Sequence, residues 1–255
     1  MRITLITACY NSVKTIRDTF ESVARQNLEG NELEYIIVDG GSTDGTVEAI
    51  KAFAEKVPRA GLTVVWQSEK DKGLYDAINK GIAKATGDVV GILNADDVLE
   101  DEGTLAVIAA EFTAGVEAVY ADIRFVKELG GPTVRYCSAR HFSPWMFRFG
   151  VMIPHPSFYC RREKFAALGG YSLDYRICAD FELVLRFLGK NHLVARYLPR
   201  CVVTMRMGGL STAGIKSTLQ INREDLRALK ANGYWSAMPL LYLRYFFKIW
   251  GFIFR

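Results

Sequence analysis

The first hundred residues alternate between short apolar runs and stretches with a helical repeat, and this alternation limits the fold more than any other feature. The runs ITLITA, LEYIIVD, LTVVWQS and DVVGILN are separated by segments in which apolar residues recur every three or four positions. A strand–helix–strand rhythm of this kind predicts a mostly parallel central sheet flanked by helices. We therefore expect an α/β fold.

Polar residues follow each of the four predicted strands. The first strand ends in Thr7, Ala8, Cys9, Tyr10 and Asn11, the second in Asp39, Gly40, Gly41 and Ser42, the third leads to Glu69, Asp71 and Gly73, and the fourth ends in Asn94, Asp96 and Asp97. Each group alone is ordinary turn chemistry. Ligands of open α/β sheets bind at the carboxyl ends of the strands, so four such groups together favour a binding site.

The stretch VGILNADDVL places two adjacent carboxylates, Asp96 and Asp97, directly after a buried strand. The two charges repel each other, and burying either one unpaired is costly. A divalent cation removes this cost. Mg²⁺ takes one or two carboxylates and completes its coordination with water and substrate phosphates, so the pair predicts a metal site for a diphosphate. Capping of a following helix remains an alternative for one of the two acids.

Composition and missing motifs exclude several other classes. The chain has neither a P-loop nor a Gly-x-Gly-x-x-Gly after the first strand, which disfavours a dinucleotide cofactor. A net charge of +4 is too small to indicate nucleic acid as a partner. Five scattered cysteines without a Cys-x-x-Cys pair predict free thiols in a reducing compartment. No signal peptide and no membrane-spanning helix are expected.

The second half of the chain does not continue the strand–helix alternation of the first half. The segments AVYADIRFV and TVRYCSA around ELGGPT predict a β-hairpin. Residues 141–160 are rich in aromatics, Pro and Gly, which is typical of a pocket-lining loop or an irregular piece of core. A helix is expected from about Ala179, with Asp180 and Glu182 in its first turn. Because no linker is visible, this half is expected to pack onto the sheet.

The segments TACYN, IIVDGGSTDGT, EKDKGLYDAINKGIAKATGDVVGILNADD and CADFEL resemble glycosyltransferase family 2. The resemblance is specific up to about residue 120 and looser up to about residue 211. It implies an inverting, nucleotide-sugar-dependent enzyme with the glycosyltransferase-A fold that uses Mg²⁺ or Mn²⁺. The catalytic domain would span 1–212, with a nucleotide-binding half at 1–120 and an acceptor half at 121–212, followed by a helical tail at 213–255.

The resemblance also implies roles for individual residues on the donor side. Thr7, Ala8, Tyr10 and Asn11 match the segment that cradles the nucleotide, Asp39 the acid that binds the base (typically uracil), Asp71 and Gly73 the loop beside base and ribose, and Asn79 an element that lines the donor site. Asn94, Ala95 and Asp96 occupy the family's Asp-x-Asp position. Asp96 is thereby the first choice as metal ligand and Asp97 the second.

On the acceptor side, Asp180 matches the proposed catalytic base. The sequence departs from the family pattern at three points. Asn94 replaces the first acid of Asp-x-Asp, Ala179 leaves Asp180 as a single acid, and the segment MRMGGLS offers Arg206, suited only to phosphate, where a histidine ligand is common. His155 is a further candidate to touch the acceptor, although a structural role for it is equally open.

Residues 234–255 form an unusual C-terminal segment, in which nine of 22 residues are aromatic and none is acidic. On a helix, Arg244, Lys248 and Arg255 fall on one narrow side. This pattern predicts an amphipathic aromatic helix at a membrane surface, with the cations toward anionic headgroups. Docking on the protein body or a homodimer contact remains an alternative.

Together these features predict an inverting glycosyltransferase that uses a nucleoside diphosphate sugar, UDP-linked by analogy. Its acceptor would be a lipid-linked glycan on a polyprenyl diphosphate, in surface polysaccharide synthesis on the inner face of the cell membrane. One alternative is a catalytically silent nucleotide- or glycan-binding partner of another transferase, which Asp96, Asp97 and Asp180 argue against. The other is a sugar nucleotidyltransferase, for which TACYNSVKT lacks the glycine- and basic-rich loop.

Overall fold

The computed structural model describes residues 1–57, 59–207 and 214–244. Within these residues the chain forms nine strands of one sheet: β1 (Arg2–Cys9), β2 (Glu32–Asp39), β3 (Leu62–Ser68), β4 (Val89–Ile92), β5 (Val98–Leu99), β6 (Ala118–Val126), β7 (Thr133–Cys137), β8 (Tyr159–Arg161) and β9 (Ala195–Arg206). The α-helices of the same residues are α1 (Ile16–Ala24), α2 (Thr46–Lys56), α3 (Leu74–Lys84), α4 (Thr104–Glu111), α5 (Arg162–Leu168), α6 (Ala179–Val184) and α7 (Gly214–Ala231).

The first four strands form the parallel part of the sheet, in the order β3-β2-β1-β4. Strands β1 and β2 are buried along almost their whole length, which explains their nearly continuous apolar sequence. This part confirms the predicted α/β fold with a parallel sheet between helices.

The second half of the chain extends the sheet with mixed pairing. Strand β8 is antiparallel to both β4 and β6, β6 is parallel to β9, and β5 is antiparallel to β9. The predicted hairpin is confirmed as β6 and β7. The predicted helix near residue 179 is confirmed as α6, which continues into a π-helical stretch, Leu185–Lys190. Sequence patterns did not indicate β5, β8 or β9.

Apolar side chains cover both faces of the sheet. Along β1, Ile3 and Leu5 point to the face covered by α1, α2 and α4, whereas Ile6 points to the face covered by α3, α6 and α7. Because both faces are covered, the strand ends are the accessible part of the parallel sheet.

Residues 234–244 continue from α7 and pack on the body. A helix is present over 238–244, and Pro239 lies in its first turn, where proline is tolerated. The prediction that Arg244 faces headgroups is wrong: it is only 8% exposed and ion-paired with Asp225. Lys248 and Arg255 lie outside the described residues, so the aromatic helix and the boundary at 212/213 stay predictions. Among the residues that the structure describes, no helix is long and apolar enough to cross a membrane.

Candidate active site at the carboxyl ends of the strands

The sheet register brings the four predicted strand ends together. Cys9 at the end of β1 pairs with Asp39 at the end of β2, and Asp39 pairs with Ser68 at the end of β3. On the other side, Ile6 of β1 pairs with Ile92, the last residue of β4. The polar segments after these strands therefore share one edge of the sheet, as the sequence analysis expected.

Asp39 organises the loop after β2. Its buried carboxylate accepts hydrogen bonds from the N–H groups of Gly41 and Ser42 (3.0 and 2.9 Å), from the Ser68 hydroxyl (2.6 Å) and from the Ser42 hydroxyl (2.5 Å). Burial works against the charged carboxylate, but these donors outweigh it and lower the pKa of Asp39. Asp39 thus fixes the loop of residues 40–42 as an ionised group.

Replacing Asp39 with asparagine is expected to lower the free energy of unfolding at pH 7 by about 2 kcal/mol, because an amide offers a donor to groups that already donate. A lowered pKa gives stability that is present above the unfolded-state pKa and lost as the pH falls through the folded value. The difference between wild type and variant should therefore shrink below about pH 4. Urea unfolding across a pH series measures it, with half-exposed Asp71→Asn as control. A difference that does not change with pH contradicts this role.

Tyr10 and Asn11 form the exposed end of the loop after β1. The ring of Tyr10 is 64% exposed. Asn11 has a left-handed backbone (φ 49°), and its side-chain oxygen accepts the N–H of Thr43 (2.9 Å). Thr7 lies deeper, where its hydroxyl donates to the carbonyl of Leu93 (2.8 Å). Of the predicted nucleotide-cradling residues, Tyr10 and Asn11 are therefore accessible, while Thr7 and Ala8 are buried.

The β3–α3 loop lies beside the β2 loop. A Cβ at Gly40 would lie 2.5 Å from Asp71 Oδ2, so only glycine allows this approach. Asp71 Oδ1 accepts the N–H of Gly73 (2.8 Å), whose backbone φ of +119° suits glycine. Asn79 exchanges two hydrogen bonds of 2.8 Å with the backbone of Tyr171. Asn79 therefore ties α3 to residue 171 rather than offering its amide to the sheet edge.

The two adjacent acids after β4 have different surroundings. Asp96 is half-exposed, whereas Asp97 is fully buried and its Oδ2 accepts the side-chain N–H of Asn94 (2.7 Å). Burial and the negative charge of Asp96 raise the pKa of Asp97 to about 8, and the Asn94 amide and Arg206 only partly oppose this. The residue after Asp97 begins β5 and the next helix begins at Thr104, so the helix-capping alternative is wrong.

A pocket of ≈ 630 Å³ lies beside the first turn of α6. Its lining includes Asp180, His155 and the loop 150–156. Asp180 Oδ1 accepts the N–H of Phe181 (2.8 Å) and lies 3.4 Å from the hydroxyl of Tyr75, near the start of α3. Asp180 therefore stands between this pocket and the β3–α3 side of the sheet edge.

Comparison with known proteins identifies the family. Residues 4–168, nearly two-thirds of the chain, match the family described as Glycosyl transferase family 2. The chain belongs to glycosyltransferase family 2. A PGL/p-HBAD biosynthesis glycosyltransferase of Mycobacterium bovis is 32% identical over 211 residues, which cover 81% of this chain and 78% of the relative.

Solved structures share the fold. S. aureus TarS 1-349 in complex with UDP-GlcNAc has a TM-score of 0.69 at 18% identity and covers 90% of this chain, which spans 66% of that protein. The chain spans 40% of the longer TarS structure. The mannosyltransferase PcManGT of Pyrobaculum calidifontis, in complex with GDP-Man and Mn²⁺, has a TM-score of 0.62 at 21% identity over 94% of this chain and 68% of that protein. The protein is thus a glycosyltransferase with the glycosyltransferase-A fold.

The residues present fit the divalent cation that the family implies. Asp96 offers an accessible carboxylate, and Asp97 Oδ1 is a buried oxygen without a hydrogen-bond partner among the described residues. Among the residues that the structure describes, no group of three or more His, Cys, Asp or Glu side chains is arranged to hold a metal ion. Magnesium and manganese sites often complete their coordination with substrate phosphates, so one protein carboxylate suits a site filled together with a diphosphate.

Two acceptor-side candidates take positions that their sequence context did not reveal. The ring of His155 hydrogen-bonds the hydroxyl of Tyr171, and burial lowers its pKa, opposed by the charge of Asp180. Arg206 is ion-paired with Asp18 on α1, and its charge acts on Asp97. Arg206 therefore lies on the side of the acidic pair, while His155 lies at the pocket.

The structure also removes one candidate and adds two. Glu182, the other acid in the first turn of α6 and hence a second candidate base, is buried, and Arg186 donates to both its oxygens (2.9 and 3.0 Å), so it is not available to a substrate. Tyr75 and Tyr171, whose rings stack at 5.5 Å, border Asp180 and His155. Nothing in the sequence distinguishes these two tyrosines from core aromatics.

Proposed function

We propose that this glycosyltransferase transfers a sugar, with inversion at the anomeric carbon, from a UDP-linked donor to an acceptor hydroxyl. The observation that carries the proposal is the pairing of two features: an accessible carboxylate, Asp96, at the strand ends, and a separate carboxylate, Asp180, at a pocket. Tyr75, the second residue of α3, links the pocket to the β3–α3 side of the sheet edge, since its hydroxyl reaches both the Ile177 carbonyl (2.5 Å) and Asp180.

The donor side of the proposal rests on the strand-end residues. Asp39 holds the loop beside which the base would lie, and Tyr10 presents an exposed ring. A uridine base is supported by the structure of TarS 1-349 in complex with UDP-GlcNAc. Because PcManGT is in complex with GDP-Man, a guanosine donor is included as the competing outcome in the experiment below.

In the proposed reaction, Asp180 accepts the proton of the acceptor hydroxyl as its oxygen bonds to the anomeric carbon. The bond between that carbon and the diphosphate oxygen breaks, and the nucleoside diphosphate leaves with the electron pair. Asp96 would hold a Mg²⁺ or Mn²⁺ ion, which supplies positive charge to the leaving diphosphate. Arg206, whose charge acts on Asp97, would add a second positive charge.

Turnover of a donor panel tests the function. Purified protein with Mn²⁺ is incubated with UDP-, GDP- and dTDP-linked sugars, and release of the nucleoside diphosphate is followed, together with the anomer of the product by NMR. We expect UDP release with inversion. Release from GDP- or dTDP-sugars alone overturns the uridine assignment, retention overturns the mechanism, and no release from any donor overturns the function.

We also propose a lipid-linked glycan acceptor and a peripheral position on the inner face of the membrane. Two exposed tryptophans support this, Trp145 at 58% and Trp235 at 69%. Their segments touch, because the Ser236 hydroxyl donates to the carbonyl of Arg148 (2.6 Å). Exposed Trp, Arg and Lys side chains together are typical of membrane interfaces.

The double variant Trp145→Ala with Trp235→Ala is expected to weaken binding to anionic liposomes roughly tenfold or more, since both rings leave water on docking. Co-sedimentation measures binding, and light scattering reports the oligomer. Val194→Ala, a similarly exposed apolar residue at the amino end of β9, should bind as wild type. Wild-type protein that stays in the supernatant as a dimer would show the tryptophan surface to be a subunit contact.

A further inference from the structure

Arg244 is a buried cation at the junction of three segments. It belongs to the helix at 238–244, and its guanidinium donates to Asp225 Oδ2 (2.7 Å) and to Asn222 Oδ1 (2.5 Å), both on α7. A third hydrogen bond, of 2.8 Å, goes to the carbonyl of Gly150. The forked shape of a guanidinium allows these directions at once, which a lysine ammonium on a flexible stem does not reproduce.

Gly150 is the first residue of the loop 150–156, which lines the pocket beside Asp180 and contains His155. A Cβ at Gly150 would lie 2.4 Å from Arg244 Nη1, and the backbone φ there is +67°. The guanidinium is therefore packed directly against the start of this loop. A side chain at position 150 would displace the loop or the arginine.

Helix α7 supports the other side of the same pocket. Glu224 Oε2 accepts the N–H groups of Ile177 and Cys178 (2.9 and 3.0 Å), immediately before Asp180. The Cys178 thiol also donates to the carbonyl of Ile221 on α7 (3.6 Å). The partners of Arg244 on α7 are thus adjacent to the contacts that hold the turn carrying Asp180, the proposed base.

These contacts are energetically coupled. Asn222 and Asp225 are almost fully buried, and Arg244 is the positive charge beside the Asp225 carboxylate. Removing one partner of a buried ion pair leaves the charge of the other uncompensated. Removing Arg244 would also leave the carbonyl of Gly150 without its hydrogen-bond donor. Loss of Arg244 should therefore alter the local structure at both Gly150 and Asp225.

We propose that Arg244 is a positioning residue for the acceptor half of the reaction. It fastens the C-terminal helix to the loop 150–156 and to α7, and so sets the geometry of the acceptor pocket around Asp180. The role of this pocket as the acceptor site rests on the proposed function. The coupling between Arg244, the loop 150–156 and α7 does not. It also makes the helix at 238–244 part of the acceptor site rather than a separable anchor.

The kinetic test compares Arg244→Gln and Arg244→Lys with wild type. The probes are a panel of octyl glycosides of glucose, galactose, mannose and N-acetylglucosamine, and hydrolysis of the donor by water alone. We expect Arg244→Gln to raise the KM for the accepted octyl glycoside roughly tenfold or more through lost positioning, with the donor KM unchanged. Arg244→Lys should recover part of the loss, since it keeps the charge beside Asp225. Equal changes in donor and acceptor KM overturn the proposal.

Gly150→Ala provides an independent variant, since it disturbs the contact without touching Arg244. Gly115→Ala is the matched control, because Gly115 has a similar φ of +81° but no atom within 4 Å of an added Cβ. Gly150→Ala should reproduce the Arg244→Gln phenotype and Gly115→Ala should not. Identical behaviour of the two glycine variants assigns the effect to backbone strain and overturns the proposal.

Hydrogen exchange of the full-length protein decides the coupling whether or not any donor or octyl glycoside is used. Arg244→Gln and Gly150→Ala should speed exchange in peptides covering 150–156 and 177–182, but not in those covering 4–9 and 37–43 at the donor edge. Acceleration in all four regions, or in none, contradicts a positioning role. Inactivity of the wild type toward every donor removes the proposed function and leaves this result standing.

Discussion

Asp180→Asn is expected to lower turnover by a factor on the order of 10² or more, while UDP binding stays close to that of wild type. The amide keeps the shape of the side chain and its place beside Phe181 and Tyr75, but it cannot accept a proton. Because Asp180 lines the pocket and its hydrogen bonds go to Phe181 and Tyr75 rather than to the segment after β4, donor contacts should be preserved. Steady-state turnover and calorimetry with UDP measure the two quantities separately.

Asp174→Asn is the control for this experiment, since it removes an equal charge from an exposed residue close by in the chain. It should turn over as wild type. Near-wild-type activity of folded Asp180→Asn would show that another group takes the proton. Glu182 is unsuited to replace it, because its carboxylate is occupied by Arg186.

The second large effect is expected at the acidic pair. Asp96→Asn should lower turnover by a factor on the order of 10² to 10³ and remove most of the metal dependence of UDP binding, because it deletes the accessible charge opposite the diphosphate. Asp97→Asn should have a smaller effect on both, since Asp97 is buried and faces Asn94.

The two variants are matched in size and position in the chain, so they compare the accessible carboxylate with the buried one. Turnover against Mn²⁺ concentration and UDP binding with and without the metal supply the readouts. A larger loss of metal dependence in Asp97→Asn than in Asp96→Asn would place the metal ligand at the buried position.

The parallel half of the fold follows from local patterns. Strands β1 and β2 are buried on both faces, so they are continuously apolar, and the helices between them have apolar residues on one face. The hairpin of β6 and β7 has alternation and a turn of its own. Since parallel strands end at one edge, the position of the site at that edge could be predicted along with the sheet.

The second half could not be predicted in the same way, because its strands depend on distant partners. Strand β8 has three residues, and β9 contains Pro199, which argues locally against a strand. Strand β9 is held by pairing with β6, some eighty residues earlier in the chain.

The different surroundings of Asp96 and Asp97, and the burial of Arg244, likewise follow from tertiary contacts. Asp97 is enclosed beside Asn94, and Arg244 is held by Asn222 and Asp225. From the sequence, a basic residue in an aromatic helix indicates a membrane anchor. The buried counter-ion that contradicts this is seen only in the folded structure. Sequence periodicity shows which residues share a face, but not what that face meets.

The central claim is that the carboxyl edge of the sheet binds a nucleoside diphosphate together with a divalent cation at Asp96. Isothermal titration calorimetry of the wild-type protein with UDP, in Mn²⁺ and in excess chelator, tests it most directly. We expect binding in Mn²⁺ and loss of most of the affinity in chelator, because the Asp96 carboxylate then faces the diphosphate without a counter-ion. Equal affinity in both conditions would contradict the claim.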